Sequence, residues 1–241
     1  MNSLQLEQNQ IENAIIKVCD FIESHKREIP NWKDYSEEQL WFELVSCILG
    51  SRVRYETAKD CVTHLRNIGL LDISNLLKNP MRIEKIIIKE LRRPIYTPFS
   101  KGIGSKYRYP KSKSRFIINT CVGIYGNNQT IRNILKKSHD GYEARDILIQ
   151  KCWGIGPKQA SLFLRNIEYS EDLAILDCHV MNYMKMQNID KEFDISNLKG
   201  VCSYYEEENK LRMYALSKRK NLATLDIGIW TVMRIIKGSR I

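Results

Sequence analysis

The feature that most constrains the fold is residues 151–166, KCWGIGPKQASLFLRN, where a short glycine-rich turn separates two stretches of helical character. Gly154 and Gly156 can adopt positive φ and allow a ligand close to the backbone. Pro157 fits the first position of a helix, where its missing N–H is not needed. The sequence therefore predicts a helix on each side of a tight turn, which is a helix-hairpin-helix unit.

Helical periodicity extends over most of the chain, because apolar residues recur three and four positions apart. Ser36 with Gln39, and Asp140 with Glu143, form capping-box patterns that mark two helix starts. An apolar stretch at residues 173–176 has extended character instead. Helices are expected over residues 4–26, 36–49, 55–68, 82–91, 114–125, 140–150 and 157–166, from about residue 178, near residues 204–209 and over residues 219–237. The predicted fold class is all-α.

Size and charge limit the possible partners. The chain has 241 residues, 43% of them hydrophobic, which is enough to bury the core of one large domain or two small ones. A formal net charge of +10 favours a polyanionic partner, with nucleic acid ahead of an anionic membrane surface. No apolar run approaches the roughly 18 residues that span a bilayer, and the amino terminus lacks a signal-peptide pattern. We expect no membrane partner and a location in the cytoplasm, at the nucleoid.

The seven cysteines are scattered and form no Cys-x-x-Cys pair. This arrangement argues against a disulfide framework and against a zinc or iron–sulfur site, so reduced thiols are expected. The four histidines show no ligand spacing either.

Two segments are candidates for binding DNA. The backbone N–H groups at the helix start after Gly156 suit a phosphate, although a plain structural turn remains the alternative. Residues 101–115, KGIGSKYRYPKSKSR, carry six basic residues and no acidic one, and they form either a solvated loop or a phosphate-contacting loop. The candidate contacts in this second segment are Lys106, Arg108, Lys111, Lys113 and Arg115.

Lys158 lies in the first turn of the second hairpin helix, where the macrodipole disfavours a cation by roughly 0.3–1 kcal/mol. One explanation is a salt contact to a bound phosphate. The other is that the helix end favours the neutral amine, which is the nucleophilic form.

The segments GIGPKQAS, LFLRN, AILDCHV (residues 174–180) and TLDIGIW (residues 224–230) together carry a family pattern. They resemble the helix-hairpin-helix (HhH-GPD) superfamily of base-excision DNA glycosylases, and most closely the compact archaeal and bacterial 8-oxoguanine DNA glycosylases. The four-cysteine iron–sulfur loop of many endonuclease III relatives is missing, which favours this branch. The resemblance implies a two-lobed fold with a central DNA-binding cleft. One lobe would be residues 36–136, with a DNA-intercalating loop, and the other residues 1–35 and 137–241.

The resemblance implies a bifunctional glycosylase/AP lyase of base excision repair. Lys158 would attack C1′ of the damaged nucleotide, expel an oxidised purine and form a Schiff base that allows β-elimination. Asp177 would deprotonate the lysine or stabilise positive charge on the sugar. A helix N-cap is the structural alternative for Asp177, and the two roles are compatible.

The resemblance also implies a base pocket formed by Asp226, Trp230 and Leu162, into which the flipped base would enter. Asp226 would accept hydrogen bonds from the purine and Trp230 would stack on it. Trp230 is equally compatible with an ordinary core position, because an apolar stripe runs beside it. Leu162 stands where relatives often carry a Cys or His that faces the base.

Arg52, with Arg54 beside it, aligns with the loop residue that fills the gap left by the flipped base, where relatives carry Gln or Asn. Arg52 would either hydrogen-bond the orphan cytosine or bind phosphate.

The alignment further implies that a structural K⁺, Na⁺ or Mg²⁺ is held by the hairpin carbonyls of Gln150, Cys152 and Ile155, and that no other cofactor is required. The partner would be double-stranded DNA with a modified base, bound by a monomer. Arg52, Leu162 and Trp153, which replaces the usual hairpin proline, leave the lesion open. Another modified base, such as a hypermodified base of invading DNA, and a non-catalytic DNA-binding role are the alternatives.

Overall fold

The computed structural model describes residues 3–25, 31–94, 106–189 and 200–238. These residues form twelve helices and no strand, which confirms the all-α prediction. The helices are α1 (Ser3–Ser24), α2 (Glu37–Gly50), α3 (Tyr55–Asn67), α4 (Ile73–Lys78), α5 (Pro80–Arg92), α6 (Pro110–Tyr125), α7 (Ile131–Lys137), α8 (Gly141–Lys151), α9 (Pro157–Asn166), α10 (Cys178–Met186), α11 (Val201–Ser217) and α12 (Leu222–Gly238). None of these described helices is both long enough and apolar enough to cross a membrane.

The chain divides into two compact units. The central unit is Pro30–Tyr169, and the terminal unit combines Met1–Ile29 with Ser170–Ile241. This grouping differs from the predicted lobes, which placed residues 137–169 with the chain ends. The hairpin helices belong to the central unit because α9 packs against α2, and α8 packs against α6 and α7.

The central unit is organised around the start of α2. The predicted capping box is confirmed, since Ser36 Oγ accepts from the backbone N–H of Gln39 at 3.2 Å and Gln39 Oε1 accepts from that of Ser36 at 2.7 Å. The next residue, Glu37, accepts from the hydroxyl of Tyr125 at 2.9 Å and from the backbone N–H of Ile131 at 2.6 Å. These bonds tie the end of α6 and the start of α7 to α2.

The terminal unit packs α1, α10 and α11 against α12. Residues 173–176 belong to no helix or strand, and two side chains of α11 hold them. Tyr204 donates its hydroxyl to the carbonyl of Ala174 at 2.8 Å and accepts from the N–H of Leu176 at 3.1 Å, and Glu208 accepts from the N–H of Ala174 at 2.8 Å. This segment leads directly to Asp177.

Several helix bounds differ from the prediction. Helix α6 begins at Pro110, which occupies its first turn, so the second half of the basic segment is helical and not a loop. Helix α12 begins at Leu222 because Arg219 adopts a positive φ of 55° that no right-handed helix contains, and the predicted start at residue 219 is wrong. Helices α4 and α7 are six and seven residues long, too short to give a clear apolar period. Residues 101–105 of the basic segment lie outside the described residues.

Candidate active site

The structure confirms the predicted hairpin. Helix α8 ends with the backbone N–H of Cys152 donating to the carbonyl of Leu148 at 2.9 Å, and α9 begins with Pro157 in its first turn. In the turn, the N–H of Trp153 donates to Oγ1 of Thr120 on α6 at 2.9 Å. The hairpin is therefore fixed to α6 as well as to its own two helices.

The two hairpin glycines meet different requirements. Gly154 adopts φ 71°, and a Cβ there would overlap the ring of Phe116. Gly156 adopts φ −108°, so it does not use the positive-φ region that is open to glycine, and the space beside its Cα is open. Gly154 is thus needed for the fold of the turn, whereas Gly156 leaves its backbone accessible to a ligand.

The start of α9 has the properties of an anion site. Gly156 provides no side-chain cap, and Pro157 has no N–H. The N–H groups of the following first-turn residues carry the positive end of the helix dipole, which suits a phosphate oxygen.

Lys158 is the second residue of α9 and is half-buried. Within the described part of the chain no carboxylate pairs with it and no acceptor binds its ammonium. Leu162 lies one turn further along the same helix face and is also half-buried.

Most of the predicted DNA contacts of the central unit are exposed. Arg52 follows the end of α2 with a positive φ of 62°, and Arg54 occupies the N-cap position of α3. Arg115 is exposed and lies 3.6 Å from Glu84. The remaining exposed candidates are Lys106, Arg108 and Lys111. Their contact with DNA stays a prediction.

Lys113 requires a correction. Its side chain is only 5% exposed, and its ammonium donates to the carbonyl of Ile48 at 2.6 Å. Burial, and secondarily the positive charge of Arg52, lowers the pKa of Lys113 to about 8. The predicted phosphate contact is therefore contradicted by a side chain that points into the protein and binds the end of α2.

In the terminal unit, Asp177 is the N-cap of α10. Its Oδ1 accepts from the backbone N–H groups of His179 at 2.8 Å and Val180 at 3.0 Å. Both bonds use one carboxylate oxygen, and among the residues that the structure describes no donor binds Oδ2. The predicted capping role is confirmed.

Asp226 and Trp230 lie one turn apart on α12. Asp226 is 1% exposed and accepts from the N–H of Ile175 at 3.3 Å, so the buried carboxylate has the partner that burial requires. Trp230 is 38% exposed, lies outside the core of the terminal unit, and has the guanidinium of Arg234 4.8 Å from its ring centroid. The interpretation of Trp230 as a core residue is therefore wrong.

The hairpin carbonyls fit the proposed cation. Among the described residues, no backbone N–H donates to the carbonyls of Cys152 or Ile155, so these oxygens can serve a hard cation. Gln150 lies in the last turn of α8, where helix carbonyls lack intrahelical donors. No cluster of metal-ligating side chains occurs in the described ranges.

Two residues of α6 and one that precedes it support the site and were not predicted from the sequence. Phe116 fills the space beside Gly154, and Thr120 accepts the N–H of Trp153. Tyr107 donates its hydroxyl to the carbonyl of Leu49 at 2.6 Å. The spacing of Lys113, Phe116 and Thr120, three and then four residues, was the available signal that they share a helix face.

The fold and these residues define a class. An all-α chain that combines a helix-hairpin-helix turn, a lysine in the first turn after it and a capping aspartate nineteen residues later is a helix-hairpin-helix protein of the DNA glycosylase type. The family model for 8-oxoguanine DNA glycosylase (Ogg-HhH) matches residues 22–220, so the chain belongs to that family.

Individual proteins similar to this chain support the same family. The chain is 31% identical over 199 residues to the 8-oxoguanine DNA glycosylase/AP lyase of Sulfurisphaera tokodaii, covering 81% of this chain and 82% of that protein. The crystal structure of the 8-oxoguanine DNA glycosylase of Thermotoga maritima is similar with a TM-score of 0.67 and 26% identity, over 94% of this chain and 95% of that one. The Methanocaldococcus jannaschii 8-oxoguanine glycosylase/lyase in complex with a 15mer DNA containing 8-oxoguanine gives a TM-score of 0.66 and 25% identity, over 92% of each chain.

Proposed function

We propose that this chain is a bifunctional DNA glycosylase/AP lyase that excises 8-oxoguanine from double-stranded DNA and then cleaves the strand. The observation that carries the proposal is Lys158, an amine without a partner among the described residues, placed directly after the hairpin of a chain from the 8-oxoguanine DNA glycosylase family. The enzyme acts as a monomer at the nucleoid, where its DNA substrate is found.

In the proposed reaction, the neutral amine of Lys158 attacks C1′ as the bond from C1′ to the base breaks, and the base leaves with a proton. Opening of the sugar ring gives a Schiff base between Lys158 and C1′. Loss of a proton from C2′ then expels the 3′ phosphate by β-elimination. The start of α9 supports the first step, because it places Lys158 in the helical turn that directly follows the hairpin.

Asp177 assists the same step as an ionised carboxylate. Its two capping bonds hold it in one orientation and leave Oδ2 to accept the proton of Lys158 or to stabilise positive charge that develops on the sugar.

The hairpin binds the DNA backbone beside the lesion. Its N–H groups receive a phosphate, and the carbonyls of Gln150, Cys152 and Ile155 hold a K⁺, Na⁺ or Mg²⁺ that neutralises phosphate charge. Removal of the cation with a crown ether or EDTA should weaken binding to undamaged duplex without abolishing trapping at saturating protein; unchanged affinity would remove the cation from the proposal.

Base recognition is assigned to α12 together with Leu162. Trp230, which is partly exposed, stacks on the purine, and Asp226 accepts hydrogen bonds from the edge of the base. Asp226→Asn should lower excision of 8-oxoguanine far more than affinity for undamaged duplex, and equal losses would exclude a base-reading role.

Borohydride trapping tests the function. Duplexes that carry a single 8-oxoguanine, an oxidised pyrimidine, an enlarged cytosine or no lesion are incubated with wild type and with Lys158→Gln. Wild type should form a covalent adduct with the 8-oxoguanine duplex, and Lys158→Gln should form none while binding the same duplex. Lys89→Gln, an exposed lysine of α5, is the matched control and should trap like wild type. Absence of an adduct with every duplex would end the proposal, and an adduct confined to another lesion would correct the substrate.

A further inference from the structure

One face of α6 connects two parts of the proposed DNA-binding surface of the central unit. Lys113, Phe116 and Thr120 are spaced three and four residues apart, so they project from the same side of the helix. Together they are called the α6 face below. Its first residue contacts the end of α2, and its last two contact the hairpin turn.

At the α2 end, two side chains bind the last carbonyls of the helix. Lys113 Nζ donates to Ile48 at 2.6 Å and Tyr107 donates to Leu49 at 2.6 Å. Carbonyls in the last turn of a helix have no intrahelical donor, and a cation near them also complements the helix dipole. Arg52 follows two residues after α2 ends and holds a positive φ of 62°, a conformation that is uncommon for a side chain of this size.

At the hairpin end, the α6 face contacts the turn directly. The ring of Phe116 occupies the space beside Gly154, and Thr120 Oγ1 accepts from the N–H of Trp153 at 2.9 Å. Lys113 Nζ lies 5.6 Å from the centroid of the Phe116 ring, within the range of a cation–π contact. Contacts therefore lead from the last turn of α2, which ends two residues before Arg52, to the glycine turn of the hairpin.

Burial of an ammonium makes this arrangement costly for stability. A methionine of similar length would fill the same space without losing hydration, and replacing buried ionic groups by apolar ones is often neutral or stabilising. A lysine at this position therefore indicates that the side chain positions the backbone at the end of α2 and does not serve mainly to stabilise the fold.

We propose that the α6 face positions Arg52 relative to the hairpin, so that Lys113 determines how well the enzyme distinguishes the base opposite the lesion. Lys113 is a positioning residue and touches no DNA itself. The proposal rests on the proposed function, in which the hairpin holds the phosphate, and on the first of the two roles that the sequence resemblance implies for Arg52, a hydrogen bond to the orphan base.

A double-mutant cycle tests the proposal. Wild type, Lys113→Met, Arg52→Ala and the double variant are titrated with duplexes that carry a stable abasic analogue opposite each of the four bases. Each single change should reduce the preference among opposite bases by about tenfold, the discrimination given by one side-chain contact to a base. The double variant should show no further loss, because both changes remove the same contact.

Stability and a matched control separate positioning from folding. Lys113→Met should unfold in urea at the wild-type concentration or above it, and Lys89→Met on α5 should keep the wild-type preference. If Lys113→Met fails to fold, Tyr107→Phe is used instead. This variant removes the hydroxyl that donates to Leu49, the neighbouring carbonyl at the end of α2.

The proposal is overturned if Lys113→Met weakens binding opposite all four bases equally, if its effect multiplies with that of Arg52→Ala, or if neither change alters the preference. Excision is assayed separately on 8-oxoguanine duplexes. A wild-type enzyme that binds the analogue selectively but excises nothing would contradict the proposed function and leave the positioning role of Lys113 supported.

Discussion

At the scale of single residues, Asp177 combines a structural and a chemical task. The cap uses only Oδ1, through the N–H groups of His179 and Val180, and the proposed chemistry uses the charge and Oδ2. An aspartate at a helix start is common for capping alone, so the sequence could not separate these tasks. The capping geometry shows that one substitution can remove the charge and keep the cap.

The first prediction concerns that separation. Asp177→Asn should keep the wild-type unfolding free energy, because asparagine caps a helix as well as aspartate, and should lower the single-turnover excision rate by about 10²-fold through loss of the charge. Asp177→Ala should lose the same activity and also about 1 kcal/mol of stability. Urea unfolding and single-turnover kinetics measure the two effects. Full activity of Asp177→Asn would restrict Asp177 to capping.

Lys111 and Lys113 show why the charged contacts could not all be predicted. Both belong to a basic run without an apolar period, and composition alone makes them equivalent. On α6 they project in different directions, so that Lys111 is exposed and Lys113 is buried against the end of α2. Which lysine is buried follows from the helix beginning at Pro110, four residues before the predicted start.

At the scale of elements, the hairpin was predictable because its signals are local. Glycine, proline and the capping aspartate each determine the backbone within a few residues. The different demands on Gly154 and Gly156 were not predictable, since the demand on Gly154 comes partly from Phe116, thirty-eight residues earlier in the chain.

This difference gives the second prediction. Gly154→Ala should cost about 1–3 kcal/mol of unfolding free energy, because alanine is strained at φ 71° and its Cβ overlaps Phe116. Gly156→Ala should leave stability within about 0.5 kcal/mol and weaken binding to undamaged duplex about tenfold, because its methyl group enters the space where a phosphate approaches. Urea unfolding and DNA titration distinguish them, and the two variants serve as controls for each other. Equal losses of stability in the two variants would contradict the conclusion that the fold of the turn requires glycine at position 154 but not at position 156.

At the scale of the whole molecule, the sequence could not predict which helices pack against each other when they lie far apart in the chain. Helix α1 packs against α12, and the side chain of Gln8 donates to the carbonyl of Met186 at 2.8 Å, 178 residues along the chain. Helical periodicity marks the apolar faces of both helices but does not pair them. The sequence therefore predicted the helices and the hairpin, whereas the grouping of α8 and α9 with α2 to α7 depends on such pairings.

Net charge is a property of the whole molecule from which DNA binding can be predicted directly. The +10 charge predicts affinity for DNA that falls steeply with salt, since each neutralised phosphate releases counterions. Only side chains that reach phosphates contribute to this slope. Exposure therefore divides the basic residues into those that should change the slope and those that should not.

The third prediction compares two lysines of α6 on this basis. The affinity for an undamaged duplex is measured between 50 and 200 mM salt, a range of the order used to define such slopes. Lys111→Met should reduce the slope of log affinity against log salt by about 1, as the loss of one phosphate contact does. Lys113→Met should leave the slope unchanged, because its ammonium is buried and bound to Ile48. An equal reduction by both variants would mean that Lys113 leaves Ile48 and reaches a phosphate in the complex, and its positioning of Arg52 would then be lost when DNA binds.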